Sequence, residues 1–148
     1  MFKKYISIIC VLLIIHLTSC ILGPGTAPDA EYYNLNIDEA ELICRIDSFK
    51  NEHPKYKFIQ ILPDGETKEF KDHYPNTIYY SYFYFNDINK VMRCVIKGGR
   101  IGLYGISDPD FNNFKTINTK EISYGENKKM KKKFESEILI YLRKVWII

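Results

Sequence analysis

The chain has 148 residues, with 21 lysines and arginines against 18 aspartates and glutamates, a formal net charge of +3. That length suits one domain with its own core. So even a balance excludes the molecule-wide positive field on which nucleic-acid binding depends, and no repeat or low-complexity tract interrupts the chain.

The N-terminus opens with Lys3 and Lys4, followed by an apolar run from Tyr5 to Leu17 broken only by Ser7 and His16. Thr18 and Ser19 then stand immediately before Cys20. A charged start, an apolar stretch and small residues at a cut point make a secretory signal. The run is shorter than the ~20 apolar residues a membrane span needs. Leu17-Thr18-Ser19-Cys20 resembles the lipobox of bacterial lipoproteins, and the resemblance covers the first twenty residues only. It implies loss of residues 1–19, a diacylglyceryl group on the Cys20 sulfur and acylation of the new amine. Membrane lipid is then the implied partner, held permanently because more than one acyl chain is attached.

Losing Lys3 and Lys4 takes 21 basic residues to 19 against 18 acidic ones, a net charge of +1. Ile21 differs from the aspartate that resembles an inner-membrane retention signal in enteric bacteria. No acidic run follows directly, unlike the surface-export tethers of some Bacteroidota lipoproteins. Both points favour an outer-membrane, periplasm-facing position. Beyond the signal no specific domain family is resembled.

Residues 20–31 read as the lipidated cysteine and its tether, and 32–148 as one domain. Two glycines and two prolines punctuate residues 21–31 against helix and strand; extended, they reach about 40 Å. A first helix is expected over Ile37–Asn51, with Asn36 as N-cap and Glu39 at the capping-box position. Helical spacing puts Ile37, Ala40 and Cys44 on one side and Leu42, Ile46 and Phe49 on another, a helix wedged between two neighbours. His53-Pro54 ends it.

Strands are expected at Tyr56–Leu62, Thr67–Phe70, Thr77–Phe85, Lys90–Lys97 and Arg100–Ser107, with a polar edge strand at Thr116–Ile122. Pro63-Asp64-Gly65 and the two-glycine link Gly98-Gly99 are turns. A last helix runs from about Glu126 to Trp146, boxed by Ser123 and Glu126 and striped by Met130, Phe134, Ile138, Tyr141, Leu142 and Val145. These elements make an α+β two-layer sandwich: an antiparallel meander of four to five strands, with an N-terminal and a C-terminal helix on one face.

Turn length sets register. Phe85 pairs with Lys90 and Lys97 with Arg100, so one face carries Tyr79, Ser81, Phe83, Met92, Cys94, Ile96, Ile101 and Leu103. That apolar face takes the helices. Cys94 lies at its centre and Cys44 on a helix packed there, so a disulfide is one reading. Two small buried apolar residues are the other. The opposite face carries Tyr80, Tyr82, Tyr84, Arg93 and Tyr104, with Arg93 across from both Tyr82 and Tyr104. Tyrosine and arginine are enriched at binding hot spots, which makes this row the candidate binding face. The plainer account is that aromatics suit strands by fit alone.

The chain holds no GxSxG, HExxH or P-loop pattern, and its glycines sit between strands, not before a helix. Beyond the signal, His53 and His73 are the only histidines, and both read as loop residues. Asp64, Asp72, Asp87, Asp108 and Asp110 occupy turn settings without a calcium-ligand set. No catalytic residue, cofactor or metal is therefore assigned. Lys128, Lys129, Lys131, Lys132 and Lys133 read first as a solvated helix face, and second as a patch for anionic lipid. The composite is a non-catalytic binding or assembly module of the cell envelope, with an unknown envelope protein or polymer as partner. An immunity-type lipoprotein blocking a toxin and an enzyme of unrecognised type are the alternatives.

Overall fold

A computed structural model describes residues 27–62, 64–74 and 78–144. Cys20, most of the tether, Pro63 and Trp146 lie outside the described residues. In chain order the elements are β1 (Glu31–Asn34), α1 (Glu39–Glu52), a short 3-10 turn (Pro54–Tyr56), β2 (Ile59–Ile61), β3 (Thr67–Glu69), β4 (Tyr79–Phe85), β5 (Lys90–Lys97), β6 (Arg100–Ser107), β7 (Lys115–Thr116), α2 (Tyr124–Phe134), a π-helical turn (Glu135–Leu139) and α3 (Ile140–Leu142).

The fold is α+β. The main sheet is antiparallel in the order β1-β6-β5-β4, and β7 also pairs with β6. β1 covers residues 100–103 of β6 and β7 covers 105–106, so the two short strands lie end to end along one edge. β2 and β3 form a separate hairpin. Both tight turns hold the expected register, with Phe85 opposite Lys90 and Lys97 opposite Arg100. Gly98 and Gly99 both have positive φ, which a two-residue hairpin of this hand requires.

One face of this sheet meets both helical segments. Leu42, Ile46 and Phe49 of α1 and Met130, Phe134, Ile138, Leu139 and Leu142 pack on Phe83, Met92, Cys94, Ile96, Ile101 and Leu103 in one core. The π turn brings the consecutive Ile138 and Leu139 into that core together. Arg45 donates to the carbonyls of Leu142 (2.9 Å) and Lys144 (3.1 Å), tying α1 to carbonyls at the end of α3.

Several expectations are corrected. α1 is capped by Asp38, whose carboxylate accepts from the Glu41 N–H at 2.7 Å, not by Asn36, which has a positive φ. The helix is buried on one side only. Leu42, Ile46 and Phe49 face inward, while Ala40 and Cys44 are exposed. Cys44 and the buried Cys94 are both free thiols, so the helix-to-sheet bridge is not formed. Tyr56 belongs to the 3-10 turn, leaving β2 only three residues, and the edge strand after β6 is Lys115–Thr116, not Thr116–Ile122. Tyr32 and Tyr33, expected only to begin the domain, sit in a strand. Ser123 does cap the last helix, accepting from the Glu126 N–H at 3.2 Å.

The burial of phenols has a consequence at high pH. Burial, and a hydrogen bond from the hydroxyl to Glu135, push the Tyr33 phenol far above its ordinary value of 10.0. Burial and Glu137 do the same for Tyr56, and burial with the charge of Asp72 for Tyr79. Each keeps its proton in the folded chain after the unfolded chain has lost it. Their contribution to stability is whole below pH 10.0 and falls away as pH rises above it. Ultraviolet titration should show these phenolates appearing together with unfolding; ionisation of all tyrosines well before unfolding would contradict this.

Candidate functional site: an arginine walled by aromatic rings

The second face of the sheet, which carries the candidate binding row, is covered by other parts of the chain. Phe58 and Phe70 flank the β2–β3 hairpin, and with Phe111 they pack on Tyr82 and Val91. Ala27 and Ala30 pack on Ile78 and Val95. Tyr82 is consequently only 4 % exposed, and Tyr80, Tyr84, Arg93 and Tyr104 are half-buried. Antiparallel alternation separates two faces but says nothing of what lies over the second.

Arg93 is the focus of this layer. It lies opposite Tyr82 on β4, as expected, and opposite Gly105 on β6. The register shifts between Arg93 and Cys94, so Cys94 faces Leu103 and Tyr104 is the extra residue of a bulge. Tyr104 is thus not the cross-strand partner the sequence pattern suggests. Gly105 is needed there because a Cβ would come within 2.4 Å of the Phe114 ring. Phe114 occupies that space and brings its ring to 4.9 Å from the Arg93 guanidinium.

Three further rings complete the wall: Tyr82 at 5.6 Å, and Tyr80 and Phe111 at 5.9 Å. Phe111 holds a φ of 61°, in the left-handed region that a bulky side chain rarely enters. Its loop is closed by the Phe111 N–H on the Asp108 carbonyl and the Asp108 N–H on the Asn112 carbonyl, both at 3.0 Å. Burial pushes the Tyr82 phenol up while the Arg93 charge pulls it down. The buried Nε of Arg93 has no hydrogen-bond partner among the described residues.

A planar guanidinium with five donors is suited to a carboxylate or phosphate, which it meets with two parallel hydrogen bonds. The rings stabilise its charge through their faces but accept few of its hydrogen bonds. The arrangement holds a cation in place with donors unspent. Tyr84 stands apart from it. Its hydroxyl donates to Asn89 at 3.0 Å, and it lines a groove of about 310 Å³ with Ile59, Ile61 and Pro109.

A second polar cluster escaped the sequence reading. The Lys50 ammonium donates to both Asp72 oxygens at 2.7 Å and to the Ser81 hydroxyl at 3.1 Å. Ser81 donates in turn to Asp72 at 2.7 Å, and the Tyr82 N–H reaches the same carboxylate at 3.1 Å. Burial pulls the Lys50 ammonium below its ordinary value, and the Asp72 charge opposes that pull. A cleft of about 320 Å³ between α1 and the β2–β3 hairpin reaches Lys50 and Asp72. Ser81 is fully buried and its hydroxyl is already engaged on both sides, so this geometry braces the fold and does not present a nucleophile. One signal was legible: Lys50 lies four residues beyond Ile46 on the buried stripe of α1, and Ser81 lies among apolar neighbours.

His53 packs 4.8 Å from the rings of Phe49 and Tyr141, and the backbone of His73 exchanges two hydrogen bonds with Tyr80. The two histidines do not converge on one site. No group of three or more potential metal ligands is found among the described residues, and no helix there is long and apolar enough to cross a membrane. Set beside known proteins, the chain matches no family model, no curated protein and no solved structure.

Proposed function

We propose that the chain is a lipid-anchored protein of the cell envelope that acts by binding, with Arg93 and its ring of aromatics as the recognition point. The lipobox-like Leu17-Thr18-Ser19-Cys20 supports the anchor. The observation that carries the binding role is the half-buried guanidinium among four rings with a buried, unpartnered Nε. An orphaned buried donor costs ~1–3 kcal/mol; since Nε is shut off from solvent, the terminal N–H groups of the guanidinium are the ones an acidic group of a ligand would meet. Two parallel hydrogen bonds to such a group would fix its orientation as well as hold it.

Mature protein from the native host is expected to begin at Cys20 and to carry fatty acid by intact mass. Cys20→Ala is expected to leave the chain out of the acylated membrane fraction. Material that starts elsewhere, or bears no lipid, removes the anchor. For the recognition point, Arg93→Gln keeps a polar side chain but abolishes the charge. It is expected to weaken capture of the ligand from solubilised envelope tenfold or more, since charged hydrogen bonds contribute ~1.5–3 kcal/mol. Undiminished capture by a folded Arg93→Gln protein ends that role.

A further inference from the structure

The β2–β3 hairpin has one edge that the fold leaves unserved. Its register sets Ile59 opposite Glu69, Gln60 opposite Lys68 and Ile61 opposite Thr67. The Phe70 N–H donates to the Phe58 carbonyl and the Leu62 N–H to the Glu66 carbonyl, both at 2.8 Å. Hydrogen-bonded pairs alternate along an antiparallel ladder, so Phe58, Gln60 and Leu62 turn their backbone groups toward β3. Ile59 and Ile61 turn theirs the other way. Those two N–H and two C=O groups meet no backbone partner among the described residues, where β2 pairs with β3 alone.

The side chains on this edge set it apart. Alternation buries Phe58 beneath the hairpin and leaves Ile59 54 % and Ile61 74 % exposed. Open edges are ordinarily blunted by charge, by proline or by a covering segment. β3 follows that rule with Lys68 and Glu69, and the outer edge of β4 is bonded by His73 and Asp72. β2 itself carries neither charge nor proline. A groove of about 310 Å³ runs beside it, lined by Ile59, Gln60 and Ile61 and by Tyr84, Asn89 and Pro109 from elsewhere in the fold. Ile59 and Ile61 repeat a donor and an acceptor at a spacing of about 7 Å. An extended polypeptide meets that repeat with its own alternate residues. A small anion or a lipid tail has no such repeat.

We infer that β2 takes an added antiparallel strand from a partner protein, an extended segment with apolar residues at alternate positions. Two of its residues pair with Ile59 and Ile61 and exchange backbone hydrogen bonds with both. Their side chains fall on the same face as the two isoleucines, where apolar cross-strand pairs stabilise the join. Arg93 does not line this groove, and the inference depends on neither the anchor nor the recognition point.

The test uses the isotope-labelled full chain and the capped peptide acetyl-Lys-Val-Thr-Val-Thr-Lys-amide. Exchange of the Ile59 and Ile61 amide protons is expected to slow about tenfold at a peptide concentration ten times its Kd. Methylating the two valine nitrogens, which face β2 in the pairing, should abolish the effect; methylating the two threonine nitrogens should not. Ile61→Pro should also abolish it, since it removes a donor from the open edge and leaves the ladder to β3 intact. No slowing at about 1 mM peptide, the weak end of measurable affinity, overturns the inference. Equal binding of the two methylated peptides overturns it as well, because apolar adhesion without strand pairing would then account for the contact. Slowing that grows with protein concentration and needs no peptide also overturns it, since a second copy of the chain would then hold the edge.

Discussion

Asp72→Ala is expected to lower the stability of the folded chain by about 3–5 kcal/mol, the usual cost of stranding one member of a buried ion pair. The side chains of Lys50 and Asp72 are 10 % and 7 % exposed, so the abandoned ammonium would find little water. The carboxylate has two other donors to serve, the Ser81 hydroxyl and the Tyr82 N–H on the outer edge of β4. Lys50→Met should cost less, because the carboxylate left behind keeps both of those donors. The double variant should regain part of what Asp72→Ala loses, since it removes the unpaired cation. Denaturant midpoints for the four proteins give the coupling directly. A double variant equal to the sum of the two single losses would mean that the pair contributes nothing as a pair.

Gly99→Ala is expected to be nearly as damaging, at roughly 2–5 kcal/mol, from left-handed backbone strain together with overpacking. Gly99 has a φ of +71°, and a Cβ there would sit 2.0 Å from the Ile37 carbonyl oxygen, a backbone atom with nowhere to go. Its neighbour supplies the control. Gly98 has a φ of +58° but open space around its Cβ position, so Gly98→Ala should cost only about 1–2 kcal/mol from backbone strain. The difference arises because the β5–β6 turn is tucked beneath the entry to α1, where the Gly98 N–H donates to Glu39 at 2.6 Å. Thermal unfolding of the two variants separates strain from collision. Equal losses would place the turn farther from Ile37 than the structure does.

The central meander was legible because two short turns and strict alternation leave β4, β5 and β6 a single register. β5 and β6 have the expected limits, and β4 ends where expected, at Phe85. The bulge at Arg93 was not legible. It exists to admit Phe114, eleven residues beyond Leu103 in the chain, and no local pattern reports such a ring. β1 was missed for a related reason: four residues give too short a stretch to show a period, and their partner is β6, far along the chain. Asn36 and Asp38 are both good capping residues two positions apart, and the choice between them decides only where α1 begins. Of the candidate face, Tyr80, Tyr82 and Arg93 do come together, while Tyr84 and Tyr104 are drawn off by the Asn86–Asn89 turn and the bulge. Phe111 and Phe114, which complete the wall, sit in a loop whose spacing carries no periodic signal.

The stitching of the first described residues to the body of the fold has a mechanical side. Traction applied at the N-terminal end of the described chain meets the packing of Ala27 and Ala30 on Ile78 and Val95, the Asp29–Asn118 and Glu31–Lys131 bonds, and then β1, which lies beside β6 in the sheet. β1 has only four residues, so it is the element that would peel first. The β4–β6 meander and the helices packed on it would still be whole after it had gone.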